Sequence, residues 1–147
     1  MSKIVVGLDP SPSSAAALAW AADYARLAGL PLQAVHGMPA PAPIASIGVL
    51  GAPAEHPVEE VDPERRRELE TLFASVSPEP DWKLTYFIDD PGPAVVAAAD
   101  GAALIVVGTR EHRGIRRLVY GSVSRYCLSH AQVPVVAVPF VDHEPTE

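Results

Sequence analysis

Apolar residues along this chain follow two alternating habits. Short runs, rich in β-branched residues and without polar alternation, recur at residues 3–9 (KIVVGLD), 30–38 (LPLQAVHGM), 82–88 (WKLTYFI), 102–108 (AALIVVG) and 133–139 (VPVVAVP). Such runs predict strands buried on both faces of a sheet. Between them the apolar spacing becomes helical. Ser11-Pro12 offers an N-cap and a first-turn proline. Leu18, Ala21, Ala22, Ala25 and Ala28 follow at helical spacing, and Gly29 ends the helix. Asp62-Pro63 opens a second helix with Leu69, Leu72, Phe73 and Val76 on one stripe. PAVVAAA at 93–99 makes a short third helix. Residues 122–132 make a fourth, with Val123, Cys127 and Ala131 on one face.

Strand and helix in regular alternation signify an α/β domain with a parallel sheet, and right-handed crossovers leave few topologies. The 147 residues suffice for one domain with a sizeable core, read here as 1–140 followed by a frayed tail, 141–147. Residues 27–54 carry no formal charge, yet they are no membrane span. Pro31, Pro39, Pro41, Pro43 and Pro53, with Gly29, Gly37, Gly48 and Gly51, would break such a helix repeatedly. They read instead as a strand and then a Pro/Ala-rich loop, 39–57, which is a lid, a partner surface or a tolerated insertion. The formal charge of −7 argues against nonspecific affinity for nucleic acid or acidic membranes. Cys127 is the single cysteine, which excludes an internal disulfide and fits a reducing compartment. The N-terminus, MSKIVVGLDP, has the features of neither a signal nor a transit peptide. A cytoplasmic protein is expected.

Ligands of open parallel sheets bind beyond the carboxyl ends of the strands, where strand order reverses. Asp9 after the first strand, Val35-His36 late in the second and Gly108 after the fourth are expected on that edge. The stretch GTREHRGIRRLVYGSVS, 108–124, then leads to Gly121-Ser122 at a helix start. Free N–H groups and the partial positive charge of a helix N-terminus suit phosphate, and glycine lets the backbone approach a ligand. Ser122 and Ser124 add hydroxyls. Arg110, Arg113, Arg116, Arg117 and Arg125 are five of the eleven basic residues, gathered in sixteen positions, with Glu111 the one acid among them. That concentration reads as an anion site, or else as a solvated basic face.

The arrangement resembles the universal stress protein family, whose nucleotide-binding members carry Gly-x-x-Gly, nine residues, then Gly-Ser or Gly-Thr. Gly108 and Gly121-Ser122 match the first and last elements, and Glu111 stands where the second glycine belongs. IVVGLDPSPSSAAALAWAADYA resembles the family's first strand and helix, LQAVHGM its second strand, and SRYCLSHAQVPVVAVP its last helix and strand. Apart from 39–60 and the tail, the resemblance covers nearly the whole chain. It implies a single doubly wound α/β domain of five parallel strands, order 3-2-1-4-5, with helices on both faces, like the adenine nucleotide alpha hydrolases. It further implies a stress-response regulator or sensor whose ligand is ATP or another adenine nucleotide such as AMP or cyclic AMP, with Mg²⁺ accompanying ATP. In that frame Asp9 contacts the adenosine end and Val35 meets adenine through its backbone. Gly108 passes under ribose and phosphates, Gly121, Ser122, Val123 and Ser124 hold phosphate oxygens, and Arg110, Glu111 and Gly114 lie along the loop between.

Glu111 falls where the triphosphate would pass. If a positive φ is required there, glutamate costs about 1 kcal/mol. A carboxylate about 4 Å from a phosphate charge opposes binding by up to ~4 kcal/mol at an effective dielectric of 20, which is nearly three powers of ten in affinity. Flanking arginines, an outward-turned side chain or Mg²⁺ would relieve it, while Gly114 sits at a shifted position. Two readings therefore stand: an altered nucleotide site, and a family member that binds no nucleotide and works through protein contacts. Walker and Gly-x-Gly-x-x-Gly loops are absent, the five histidines lack metal-ligand spacing, and YGSVS is no Gly-x-Ser-x-Gly elbow. Cys127 reads as a core residue. No side chain is placed as a catalytic base, so at most slow ATP hydrolysis is expected. The fifth strand, 133–139, is apolar and suits an edge where a second copy pairs to form a homodimer, as in the family resembled. A regulatory protein partner of unstated identity is also expected.

Overall fold

The computed structural model describes residues 2–39, 54–55, 61–111, 118–119 and 121–140. In chain order the elements are β1 (Ile4–Gly7), α1 (Pro12–Ala28), β2 (Leu32–Met38), β3 (Ala54–Glu55), α2 (Pro63–Ala74), β4 (Lys83–Ile88), α3 (Pro91–Ala98), β5 (Leu104–Glu111), β6 (Leu118–Val119), α4 (Ser122–His130) and β7 (Val135–Phe140). Five strands run parallel in the order β4-β2-β1-β5-β7, which is 3-2-1-4-5 when they alone are counted. Central β1 pairs Ile4 with Leu32 on one side and with Leu104 on the other.

The uninterrupted apolar runs bury both faces of the sheet, as the period of two requires. Ile4, Val6, Leu32, Ala34, Leu104 and Val106 join Leu18 of α1 and Leu69 of α2 in one core. Val5, Val35, Ile105 and Val107 join Val95 of α3 and Cys127 of α4 in the other. Local chemistry sets the bounds of α1. The Ser11 side chain accepts from the Ser14 N–H at 3.2 Å, Pro12 fills the first turn, and Gly29 closes the helix in the left-handed region at φ 69°.

Several bounds differ from the sequence reading. β5 runs to Glu111, three residues past the expected end at 108. Its extension is held by distant partners: Arg110 pairs with Phe140 of β7 and with Val119 of β6, and Glu111 pairs with Leu118. Residues 109–111 and 118–119 are thus strand where a continuous loop was expected. Within 39–57, Ala54–Glu55 forms an antiparallel edge on β4, with Ala54 opposite Ile88; the rest of 40–57 and the tail 141–147 lie outside the described residues. α3 opens at Pro91 rather than 93, because a first-turn N–H has no intrahelical acceptor and proline sacrifices nothing there. α4 ends at His130 rather than 132. Val76 falls beyond α2, whose fully buried contact is Leu69.

Candidate functional site

The chain departs from β1 toward β2 and β4 on one side and reaches β5 and β7 on the other, so strand order reverses between β1 and β5. At the carboxyl ends of these two strands lies a small cleft that opens to solvent, where open parallel sheets bind their ligands. Val35, Pro91, Val95, Val107 and Val123 give it apolar walls, while Asp9, Ser13 and Ser14 form a polar rim.

Bare backbone at the floor follows from packing. A Cβ at Gly108 would stand 2.4 Å from the Ser13 carbonyl oxygen, so glycine is demanded by the approach of β5 to the first turn of α1. One at Gly7 would meet Val95 Cγ2 at 3.2 Å. The turn after β1 is cross-braced. The Leu8 N–H donates to the Val35 carbonyl at 2.8 Å. The Asp9 N–H donates to Ser14 Oγ at 2.8 Å, and that hydroxyl donates to the Gly7 carbonyl at 3.3 Å. Asp9 Oδ1 accepts the Ser11 N–H at 2.7 Å, an Asx-type turn that sets the direction of the carboxylate.

At the other end of the site, Gly121 is the N-cap of α4 and has no side chain to satisfy the first-turn amides of Ser122, Val123 and Ser124. They form a ready anion cradle. The Ser124 hydroxyl is not part of it: it is buried and donates to the Gly121 carbonyl at 3.0 Å. Ser122 is exposed at the helix start.

The structure therefore brings together Asp9, Val35, Gly108 and Val123, which are far apart in sequence, with Gly121, Ser122 and Ser124 on the adjoining helix turn. Arg110 and Glu111 continue β5 past Gly108 as paired strand residues. The backbone at 111 is therefore extended and makes no demand for a left-handed glycine. Gly114, with Arg113, Arg116 and Arg117, lies outside the described residues, and Arg125 is exposed on α4. Sequence reasoning missed Ser13, Ser14, Pro91 and Val95. The serines were discoverable, since GLDPSPSS places them one turn beyond Asp9; Pro91 and Val95 reach the cleft only because α3 packs across β1.

Other features of the surface carry less chemistry. Wider grooves of about 840 and 740 Å³ flank Arg26, but its guanidinium is already occupied. It donates to the Val76 and Ser77 carbonyls and lies 4.7 Å from the centre of the Trp82 ring. Cys127 is fully buried and its thiol is pushed up to about 11 by burial, so it stays protonated and inert at neutral pH. No helix among the described residues is long and apolar enough to cross a membrane.

The universal stress protein family model matches residues 1–139. Universal stress protein Rv1996 of Mycobacterium tuberculosis is 31% identical over 136 residues, which are 90% of this chain and 42% of that protein. The chain thus spans less than half the length of the curated relatives it matches. Among solved structures, the universal stress protein from Archaeoglobus fulgidus is 25% identical with a TM-score of 0.68, covering 94% of this chain and 98% of its own. The structure of the A. fulgidus protein in complex with dAMP gives 25% and 0.62 over the same shares. A universal stress protein in complex with cAMP gives 25% and 0.61 over 93% and 95%. Sequence and topology agree: the chain belongs to the universal stress protein family.

Proposed function

We propose that this chain is a cytoplasmic stress-response regulator or sensor that reads an adenine nucleotide in the cleft between β1 and β5. The observation that carries the reading is the convergence of Asp9, Val35, Gly108 and Val123 on one cleft beside the uncapped amides of α4. Apolar walls suit a base, the Asp9 carboxylate can accept ribose hydroxyls, and the helix start attracts phosphate. The complexes of related proteins with dAMP and cAMP support the ligand class. Glu111 modifies the site: it continues the strand that leads from the cleft, where a triphosphate would extend, and a charge at about 4 Å from phosphate opposes binding by up to ~4 kcal/mol. Short nucleotides, AMP or cAMP, are the favoured ligands, and ATP binds more weakly even when accompanied by Mg²⁺. The site is read as one that binds nucleotide, with at most slow ATP hydrolysis.

Isothermal titration of nucleotide-stripped protein with AMP, cAMP and Mg-ATP tests this. Micromolar AMP or cAMP binding is expected, with Mg-ATP weaker and improved at least tenfold by Glu111→Gly. Absence of heat with all three overturns it.

A second reading has its own observation. Among the described residues β7 pairs with β5 alone, and Val135, Val136 and Ala137 are only partly buried. An apolar edge strand of this kind is a template for a second copy. In this reading the domain, 1–140, is a homodimeric interaction module that meets a regulatory protein, and its net charge of −7 keeps it off nucleic acid and membranes.

A further inference from the structure

His36 is 4% exposed and sits late in β2, one residue after Val35. Consecutive strand residues face opposite sides, so Val35 lines the cleft while His36 lies behind the sheet. Its Nδ1 is 2.8 Å from the Leu8 carbonyl oxygen. A carbonyl only accepts, so Nδ1 carries the proton and Nε2 the lone pair. The ring makes a T-shaped pair with Tyr86, its partner in register on β4, with centroids 6.1 Å apart and planes at 82°.

The Leu8 carbonyl and the Asp9 N–H belong to one peptide unit. That unit lies beyond Gly7, the last residue of β1, so side chains hold it where the ladder has stopped. His36 clamps the carbonyl end from β2, and Ser14 Oγ clamps the N–H end from α1 at 2.8 Å. With both ends fixed, the peptide plane cannot rotate, and the adjoining Asp9 Cα keeps its direction toward the cleft. A buried carbonyl without its donor would seek another partner by turning that plane.

We infer that His36 is a positioning residue for the nucleotide site: acting from behind the sheet, it holds the Leu8–Asp9 peptide, the backbone from which the Asp9–Ser11 turn directs the carboxylate. This rests on the adenine-nucleotide reading above. His36 touches no ligand, and its effect passes entirely through that peptide.

The test compares wild type, His36→Leu and His36→Asn by AMP titration and by amide hydrogen exchange at Asp9. Asparagine keeps an N–H near the Nδ1 position; leucine has comparable bulk and no donor. His36→Leu is expected to weaken AMP binding roughly fivefold to tenfold, the size of about one hydrogen bond, and to speed Asp9 exchange by a similar factor. His36→Asn should hold both within about twofold, and exchange at Ile105 and Val106 should stay unchanged in all three. Should leucine prevent folding, His36→Gln, whose amide reaches the Nε2 position instead, replaces it with the same expected loss. Undiminished AMP affinity in the donor-less variant, or equal losses with leucine and asparagine, overturns the inference. A wild-type protein that binds no AMP overturns the nucleotide reading instead, and exchange at Asp9 then decides the brace without ligand.

Discussion

Burial holds His36 below its ordinary pKa, with the Arg65 charge adding to the effect while the Leu8 carbonyl and Asp9 pull the other way. The folded state therefore prefers the neutral ring. For a histidine with a depressed folded pKa, this contribution to stability is fully present above the unfolded value of 6.5 and is lost as pH falls below it toward the folded pKa. Urea midpoints of wild type should thus decline between about pH 7 and pH 5, and His36→Asn should flatten that decline. An identical slope in the two proteins would show that other groups govern it. The residue itself was visible in the sequence at the correct edge of the sheet. Its partner was not, because the hydrogen bond joins positions 28 apart. Glu111 is a like case: its identity is plain in the sequence, but its extended backbone depends on pairing with β6.

At the scale of elements, Gly108 shows how one glycine can meet two demands. The motif reading assigns it to the ligand, whereas the packing assigns it to the contact of β5 with the first turn of α1. Gly108→Ala should therefore destabilise the ligand-free protein by about 1–3 kcal/mol, the cost of an overpacked contact, as read from urea unfolding. An alanine variant of wild-type stability that merely loses nucleotide would make the ligand the sole reason for the glycine. Legibility follows the range of the interactions. α1 was readable nearly to the residue because Ser11, Pro12 and Gly29 act on their own neighbours. β5 was read three residues short because Arg110 and Glu111 lack the β-branched character of Ile105–Val107 and are held in strand by β6 and β7.

For the whole molecule, the consequential feature is β7, which among the described residues pairs with β5 alone. Size-exclusion chromatography with light scattering over a range of concentrations should give a dimer of the 15.5 kDa chain; a monomer throughout would remove the interaction-module reading. Composition and hydrophobic period determined the class of fold and its five parallel strands, because these depend on local backbone preference and on the placement of apolar side chains. The tertiary structure alone decided that Asp9, Val35, Gly108 and Val123 share a cleft, that Pro91 and Val95 wall it, and that His36 and Ser14 clamp one peptide. Apart from the local Ser14–Asp9 contact, those relations join residues tens of positions apart, and they exist only once the crossovers have laid the strands in order and the helices have packed across them.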